Sequence, residues 1–420
     1  MAVETGKAAQ LLHAAFTHEA ADNTVEAAEA ATAALAAFTD AGDGTGSAAC
    51  HHLLGMLAAK TGDASSADQH LEAAISLRQQ TGDAEGIASL HQQRFALALQ
   101  LGDVERARAA SEASLDAWRS AGDRDGEAQA THQLAQFCLQ SGDLERAQEL
   151  LERGMVLSDR AGEQRARGAM VMMLAHVDVA RGDRDRALRR ADEGVALARQ
   201  AKNRQALVEA LHQVGSLKAT LGDLEGARAL LEESLDGREL LRDLEGRAAT
   251  LQELAAIEQA MGDTDGALGR LGYAARTWKE LGNGGGEATA LHAACTLAEE
   301  AEKVDKAIVF GRKLVSACAV MGDREAEGAA RFAQGTRLAA RGDLEAAAAM
   351  YKRAAQLHGD AGVFHNQAVS QGMLGQVLAA QGRKQEALAL LDEATQRLHA
   401  LDQPDAAATL VGIRAEIAAS

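Results

Sequence analysis

The sequence predicts an all-helical solenoid of about ten stacked helical hairpins, and three observations support this fold class. The composition combines 47% apolar residues with only 3% aromatics and a single proline, Pro404, a mix that favours helices packed through small side chains. Glycine recurs at a spacing of twenty residues along most of the chain, and alanine recurs at a spacing of forty without exception.

The glycines mark turns. Of the twenty positions reached in steps of twenty from residue 22 to residue 402, fifteen are glycine, and in eleven of these the next residue is aspartate, as in Gly102-Asp103, Gly142-Asp143 and Gly222-Asp223. Glycine just beyond a helix takes the left-handed conformation of a C-terminal cap without a Cβ penalty. Aspartate just after it accepts from the free N–H groups of the next helix and complements its dipole. Each dipeptide therefore closes one helix and opens another, leaving helices of roughly 16 residues, about 24 Å long.

Odd and even helices differ, so the structural period is forty. Alanine occupies all ten positions from Ala27 to Ala387 in steps of forty. A second small column runs Ala15, Gly55, Phe95, Ala135, Ala175, Gly215, Ala255, Cys295, Gly335, Gly375, with Phe95 as its exception. A third runs Ala34, Ala74, Ser114, Gly154, Gly194, Ser234, Ala274, Leu314, Ala354, Ala394, with Leu314 as its exception. Small residues at fixed points on both helices let two backbones approach in an antiparallel hairpin. Leucines such as Leu54, Leu134, Leu71 and Leu231 are expected to fill the space between hairpins.

These columns resemble the tetratricopeptide family. A leucine followed by a small residue stands in the first helix (Leu134-Ala135, Leu174-Ala175, Leu254-Ala255), alanine opens the second (Ala147, Ala187, Ala267), and a small residue follows seven positions later (Gly154, Gly194, Ala274). The chain is similar to the variety of that family with 40-residue repeats, found in bacterial peptide-sensing regulators and eukaryotic polarity scaffolds. The resemblance implies a right-handed α-α superhelix with the first helix of each hairpin on the concave side. It covers residues 1–403 as ten repeats, and residues 404–420, with proline in a first turn, are expected to form a C-terminal capping helix. Two departures are read as local packing variations: Arg94-Phe95 in the third hairpin, and Glu302-Lys303 with Leu314 in the eighth.

The net charge of −18 argues against nucleic acid as the main partner, because binding it draws on basic contacts that release counterions. Residues 101–200 are richer in arginine than residues 1–100. The four cysteines, Cys50, Cys138, Cys295 and Cys318, form no C-x-x-C pair and read as reduced, partly buried thiols. Met1 to Gln10 lacks the pattern of a signal peptide, and no apolar run reaches about 18 residues. Neither membrane insertion nor export is expected, and the location read from the sequence is cytoplasmic.

The candidate site lies on the first helices. One column reads His52, Gln92, His132, Met172, His212, Gln252, His292, Phe332, and one turn further along lie Met56, Gln136, His176, Ser216, Thr296, Thr336 and Gln376. Amides and imidazoles can bond a peptide backbone while Met and Phe accept its side chains. The partner-binding residues proposed on this basis are His52, Gln92, His132, Gln136, Met172, His176, His212, Gln252, His292 and Phe332. The histidines do not suit a metal. Zinc ligands lie about 2.0–2.3 Å from one point, whereas packed helices are about 8–10 Å apart, and adjacent His51 and His52 point to different sides of one helix.

Another column, at the ends of the second helices, reads Phe38, Arg78, Trp118, Ser158, Ala198, Arg238, Trp278, Cys318, His358, Leu398, and is expected to pack between repeats. No catalytic, cofactor-binding or phosphate-loop signature is present. The expected function is a non-catalytic scaffold that binds a protein or peptide. The alternative is a regulatory sensor that takes a small peptide or metabolite and controls a partner.

Overall fold

The computed structural model describes residues 2–161 and 164–419, with side chains described for 6–157 and 167–419. Gly162 of the turn register and Ser158 of the second-helix column lie outside these. The described residues form 21 α-helices and no strand, as expected for an all-α hairpin array. They fall into two compact units, residues 1–202 and 203–420.

The first unit holds five hairpins: α1 (Ala2–Ala20) with α2 (Thr24–Asp40), α3 (Gly44–Lys60) with α4 (Ala64–Thr81), α5 (Ala84–Gln100) with α6 (Val104–Ala121), α7 (Arg124–Gln140) with α8 (Leu144–Ala161), and α9 (Gln164–Ala180) with α10 (Arg184–Gln200). The second holds another five and a last helix: α11 (Arg204–Thr220) with α12 (Leu224–Leu241), α13 (Leu244–Ala260) with α14 (Thr264–Glu280), α15 (Gly284–Glu300) with α16 (Val304–Met321), α17 (Arg324–Arg341) with α18 (Leu344–Asp360), α19 (Phe364–Ala380) with α20 (Lys384–Ala400), then α21 (Pro404–Ala419). Within each unit every helix packs on its chain neighbours, and first helices also touch one another, as α1 touches α3 and α11 touches α13. Helix α21 packs on α19 and α20.

The turn chemistry follows the sequence closely. Fourteen of the register glycines have φ between 69° and 88°, and where aspartate follows, at eleven of them, it accepts from the first turn, as Asp43 does from Gly46 N at 2.9 Å and Asp263 from Gly266 N at 2.9 Å. The helices run 16 to 19 residues because each turn uses only two or three. Five register positions without glycine adopt the same left-handed backbone: Asp22, Lys202, Arg242, Glu302 and Asp402, with φ of 50° to 63°. The packing of the flanking helices therefore imposes that conformation where the local sequence resists it. Such a conformation costs a residue with a Cβ about 1–2 kcal/mol, part of which glycine returns as chain entropy. Arg242 is exposed and caps α12 at φ 56°, ψ 32°. Arg242→Gly is expected to stabilise unit 203–420 by about 0.5–1 kcal/mol, read as a shifted denaturant midpoint.

The alanine column is the axis of each hairpin: its ten members are at most 1% exposed. The second small column faces the second helix of the same hairpin. A Cβ on Gly55 would meet Leu71 at 3.0 Å, one on Gly215 would meet Leu231 at 2.7 Å, and one on Gly375 would meet Leu391 at 3.0 Å. These leucines seal their own hairpins and also fill the space to the next helix, as Leu71 clusters with Leu90 of α5, Leu231 with Leu251 and Leu254 of α13, and Leu391 with Leu410 of α21. The departures obey the same geometry. Phe95 occupies the small position in the hairpin whose second helix carries Ser111 where Leu71, Leu151 and Leu231 stand, and its ring meets Phe137 edge-on at 5.6 Å. Arg94 turns to Asp68, with Nε 2.7 Å from a carboxylate oxygen. In the eighth hairpin Leu314 is buried in one cluster with Ala290, Leu291 and Cys295, while Lys303, which makes no cap, reaches Asp265 at 2.8 Å. Both departures are packing features.

All four cysteines are buried and unpaired by disulfide. Burial pushes the thiols of Cys50 and Cys295 up to about 11, so both sit in the hairpin cores as small hydrophobes.

Candidate functional site

The column from His52 to Phe332 sits where a first helix meets its neighbours, and most of its members are engaged there. In the first unit, His52 on α3 shares a hydrogen bond of 2.6 Å with Gln93 on α5. Burial and then the charge of Arg78 hold its imidazole below the ordinary histidine range. Adjacent His51 turns the other way, its Nδ1 3.0 Å from that of His70 on α4. Gln92 and His132 are half-buried, and burial lowers the imidazole of His132 as well. Met172 is only 6% exposed and lies over Gly194 of α10, where a Cβ would come 2.7 Å from its sulfur. It offers little surface to a ligand.

The second unit repeats these roles 160 residues later. His212 on α11 approaches α13, with Nδ1 3.2 Å from Thr250 Oγ1 and Nε2 3.5 Å from Glu253. Gln252 accepts a hydrogen bond of 3.0 Å from Trp278 Nε1 of the second helix. Phe332 packs at 5.4 Å against the tilted ring of Tyr351 of α18, whose hydroxyl donates to Thr336 at 3.1 Å. His292 is the member that stands exposed. The column is therefore mainly a seam, joining first helix to first helix at His52 and His212, and first helix to second at Met172, Gln252 and Phe332.

The free surface lies one turn further on. In the first unit Phe16, Met56, Ala96, Gln136 and His176 are all exposed, and in the second Ala256, Thr296, Thr336 and Gln376 are exposed, with Ser216 half-buried and donating to Glu253 at 2.5 Å. None of the ten is charged, in a chain where a quarter of all residues are. The equivalent outward column of the second helices is the opposite, with Glu72, Glu112, Glu152, Asp192 and Glu232 in consecutive hairpins. Of the sequence-predicted residues, Gln136, His176 and His292 thus lie exposed, while Met172, Gln252 and Phe332 are drawn into packing. Size complementarity within the repeat carried that signal: a large residue at the position of Met172 stands opposite glycine at the position of Gly194.

The second-helix column of aromatics and arginines also packs. Trp118 lies over Gly126 and Trp278 over Gly286, so that a Cβ on Gly286 would come 2.6 Å from the indole. Among the described residues no three potential metal-ligating side chains come together, and no helix is long and apolar enough to cross a membrane.

Family models of the tetratricopeptide repeat match residues 48–81, 88–155 and 368–401, that is, the hairpins α3–α4, α5 through α8, and α19–α20. Similar solved structures include BtubC from P. vanneervenii, at 19% identity over 52% of this chain and 92% of that one, with a TM-score of 0.38. Another is a signal-transduction ATPase with numerous domains and a tetratricopeptide-repeat sensor from Pyrococcus horikoshii. It is 13% identical over 82% of this chain, which spans 55% of that protein's length, with a TM-score of 0.49. A third is aspartyl phosphate phosphatase F from Bacillus subtilis, at 11% identity over 81% of this chain and 91% of that one, with a TM-score of 0.42. No curated protein sequence matches the chain. Tetratricopeptide repeats form a typically non-catalytic architecture that commonly binds other proteins. With the hairpin columns, the left-handed turns and three matched segments in register, the chain carries tetratricopeptide repeats.

Proposed function

We propose that the chain is a non-catalytic scaffold whose first-helix face, the concave side in the family resemblance, holds an extended peptide segment of a partner protein. One observation carries this reading: the exposed column from Phe16 to Gln376 excludes charge in all ten hairpins. A solvated face with no partner has no reason to avoid Asp, Glu, Lys and Arg, and the second helices of the same chain are dense with them. An uncharged row of Met, Gln, His and Thr suits a peptide backbone, because its amides and hydroxyls both donate and accept while no ion must be desolvated. The pairs behind the row, His52 with Gln93 and His212 with Thr250 and Glu253, hold neighbouring first helices in place and so position it.

Position-specific photocrosslinking tests the reading. A benzophenone side chain placed at His176 or Thr336 is expected to capture a partner protein from the native extract. The same group at Glu149, exposed on a second helix, is expected to leave that partner uncaptured. If the adducts are the same from all three positions, or absent from the first two, the first-helix face is not the binding surface.

A further inference from the structure

The second unit carries a row of cations that the repeat fold does not use. Arg312 and Lys313 on α16 and Lys352 and Arg353 on α18 are exposed at equivalent places of consecutive second helices, and Arg276 on α14, the second helix before them, is exposed one turn further along. Among the described residues none of the five lies within ion-pair distance of a carboxylate. Arg276 rests over the Tyr273 ring at 4.6 Å, Lys313 over Phe310 at 5.5 Å, and Arg353 donates to Gln356 at 3.2 Å. Cations elsewhere in the unit are commonly paired, as Lys303 and Lys306 are with Asp265, Arg247 with Glu280 and Arg341 with Asp305. In a chain with 61 acidic and 43 basic residues, five cations on three consecutive second helices thus stand without a carboxylate partner.

The row runs into a cavity. Lys352 and Gln356 form one edge of a hollow of about 380 Å³ between α18, α19 and α20, whose walls are apolar at Phe364, Leu374, Leu390 and Leu401 and whose far rim carries Arg397. Two amide oxygens at this hollow, those of Gln367 and Gln371, are buried without a hydrogen-bond partner, and Gln367 is only 7% exposed. A buried amide oxygen left unpaired keeps its desolvation penalty, which a donor entering the hollow would relieve. Asp360 is the carboxylate at its edge.

We propose that this second-helix face docks an acidic peptide segment of a partner protein. An aliphatic side chain of the segment fills the hollow, its backbone N–H groups donate to Gln367 and Gln371, and its carboxylates lie along Lys352, Arg353, Arg312, Lys313 and Arg276. The site is separate from the first-helix face and does not depend on it.

Fluorescence anisotropy with the full chain tests this, using a labelled 20-residue peptide of glutamates with leucine at every fourth position. It is expected to bind, with affinity falling at least about tenfold in Lys352→Glu/Arg353→Glu and falling with added salt. The milder Lys352→Gln/Arg353→Gln is expected to give an intermediate loss, and Arg184→Gln, at an exposed cation of the other unit, none. The lysine analogue of the peptide is expected not to bind, and the leucine-free glutamate peptide to bind more weakly. No binding, binding unchanged by both charge variants, equal binding of the leucine-free peptide, or equal binding of an oligothymidylate of the same charge would each overturn the proposal.

Discussion

Arg190→Met is expected to destabilise unit 1–202 by about 3–5 kcal/mol, whereas the double variant Asp178→Leu/Arg190→Leu is expected to be at least as stable as the parent. Asp178 on α9 is 1% exposed, and Arg190 on α10 reaches it with Nη1 at 2.9 Å while also donating to the Leu174 carbonyl at 3.1 Å. Arg186 stands further off, at 3.6 Å. Removing the guanidinium leaves a carboxylate deep in the hairpin, and desolvating an unpaired charge dominates every other change at the site. Burial and then Arg186 hold the guanidinium of Arg190 below its ordinary range, against the attraction of Asp178. The pair therefore brings little net stability. Other hairpins of the chain show what replaces it. Cys138 with Leu150 and Leu378 with Leu390 occupy the same two positions, twelve residues apart, and the seventh hairpin repeats the ionic version as Glu258 with Arg270 at 2.9 Å. Denaturant melts of the two single leucine variants and the double supply the coupling energy. An Arg190→Leu variant within about 1 kcal/mol of the parent would show that water or Arg186 already satisfies Asp178.

How far the structure was legible follows from which interactions are local. The turn register and the alanine column depend on one backbone conformation and one close approach, both fixed by residue type, so Gly102-Asp103 and Ala147 announced them directly. The left-handed backbone at Arg242 and Lys202 was legible only from the count, because neither residue favours it; the packed helices on either side decide. The pairing of Asp178 with Arg190 lay in the spacing of twelve within a hairpin, visible when the repeats are aligned on one another. The site was harder. A column of His and Gln marks a face, but whether a given member points into solvent or across to its neighbour depends on the size of what stands opposite. Gly194 draws Met172 inward, and Trp278 holds Gln252. The row of unpaired cations on α14, α16 and α18 required knowing where each carboxylate of the unit is spent, which composition cannot give.

Gly286→Val is expected to cost unit 203–420 about 2–4 kcal/mol and to move Trp278 toward solvent. The indole lies across the backbone of α15 at Gly286, and its N–H is held by Gln252 of α13, so it cannot retreat without breaking that bond. The repeat states the rule eight residues apart: Phe38 faces Gly46, Arg78 faces Gly86, Trp118 faces Gly126 and Arg238 faces Gly246, whereas the small Ala198 and Cys318 face Ala206 and Ala326. In these hairpins a bulky end thus comes with a glycine at the start of the next, whereas the last two depart from the pairing, with Asn366 after His358 and Ala406 after Leu398. Accordingly Trp278→Cys with Gly286→Ala, the pairing found at Cys318 and Ala326, is expected to recover part of the loss suffered by Trp278→Cys alone, because the new methyl fills some of the vacated space. Tryptophan emission in a Trp118→Phe background reads the displacement directly: a red shift is expected in Gly286→Val. Unchanged emission and an unchanged melting midpoint would show that the first turn of α15 gives way instead. The interface between these hairpins would then be looser than its buried indole implies.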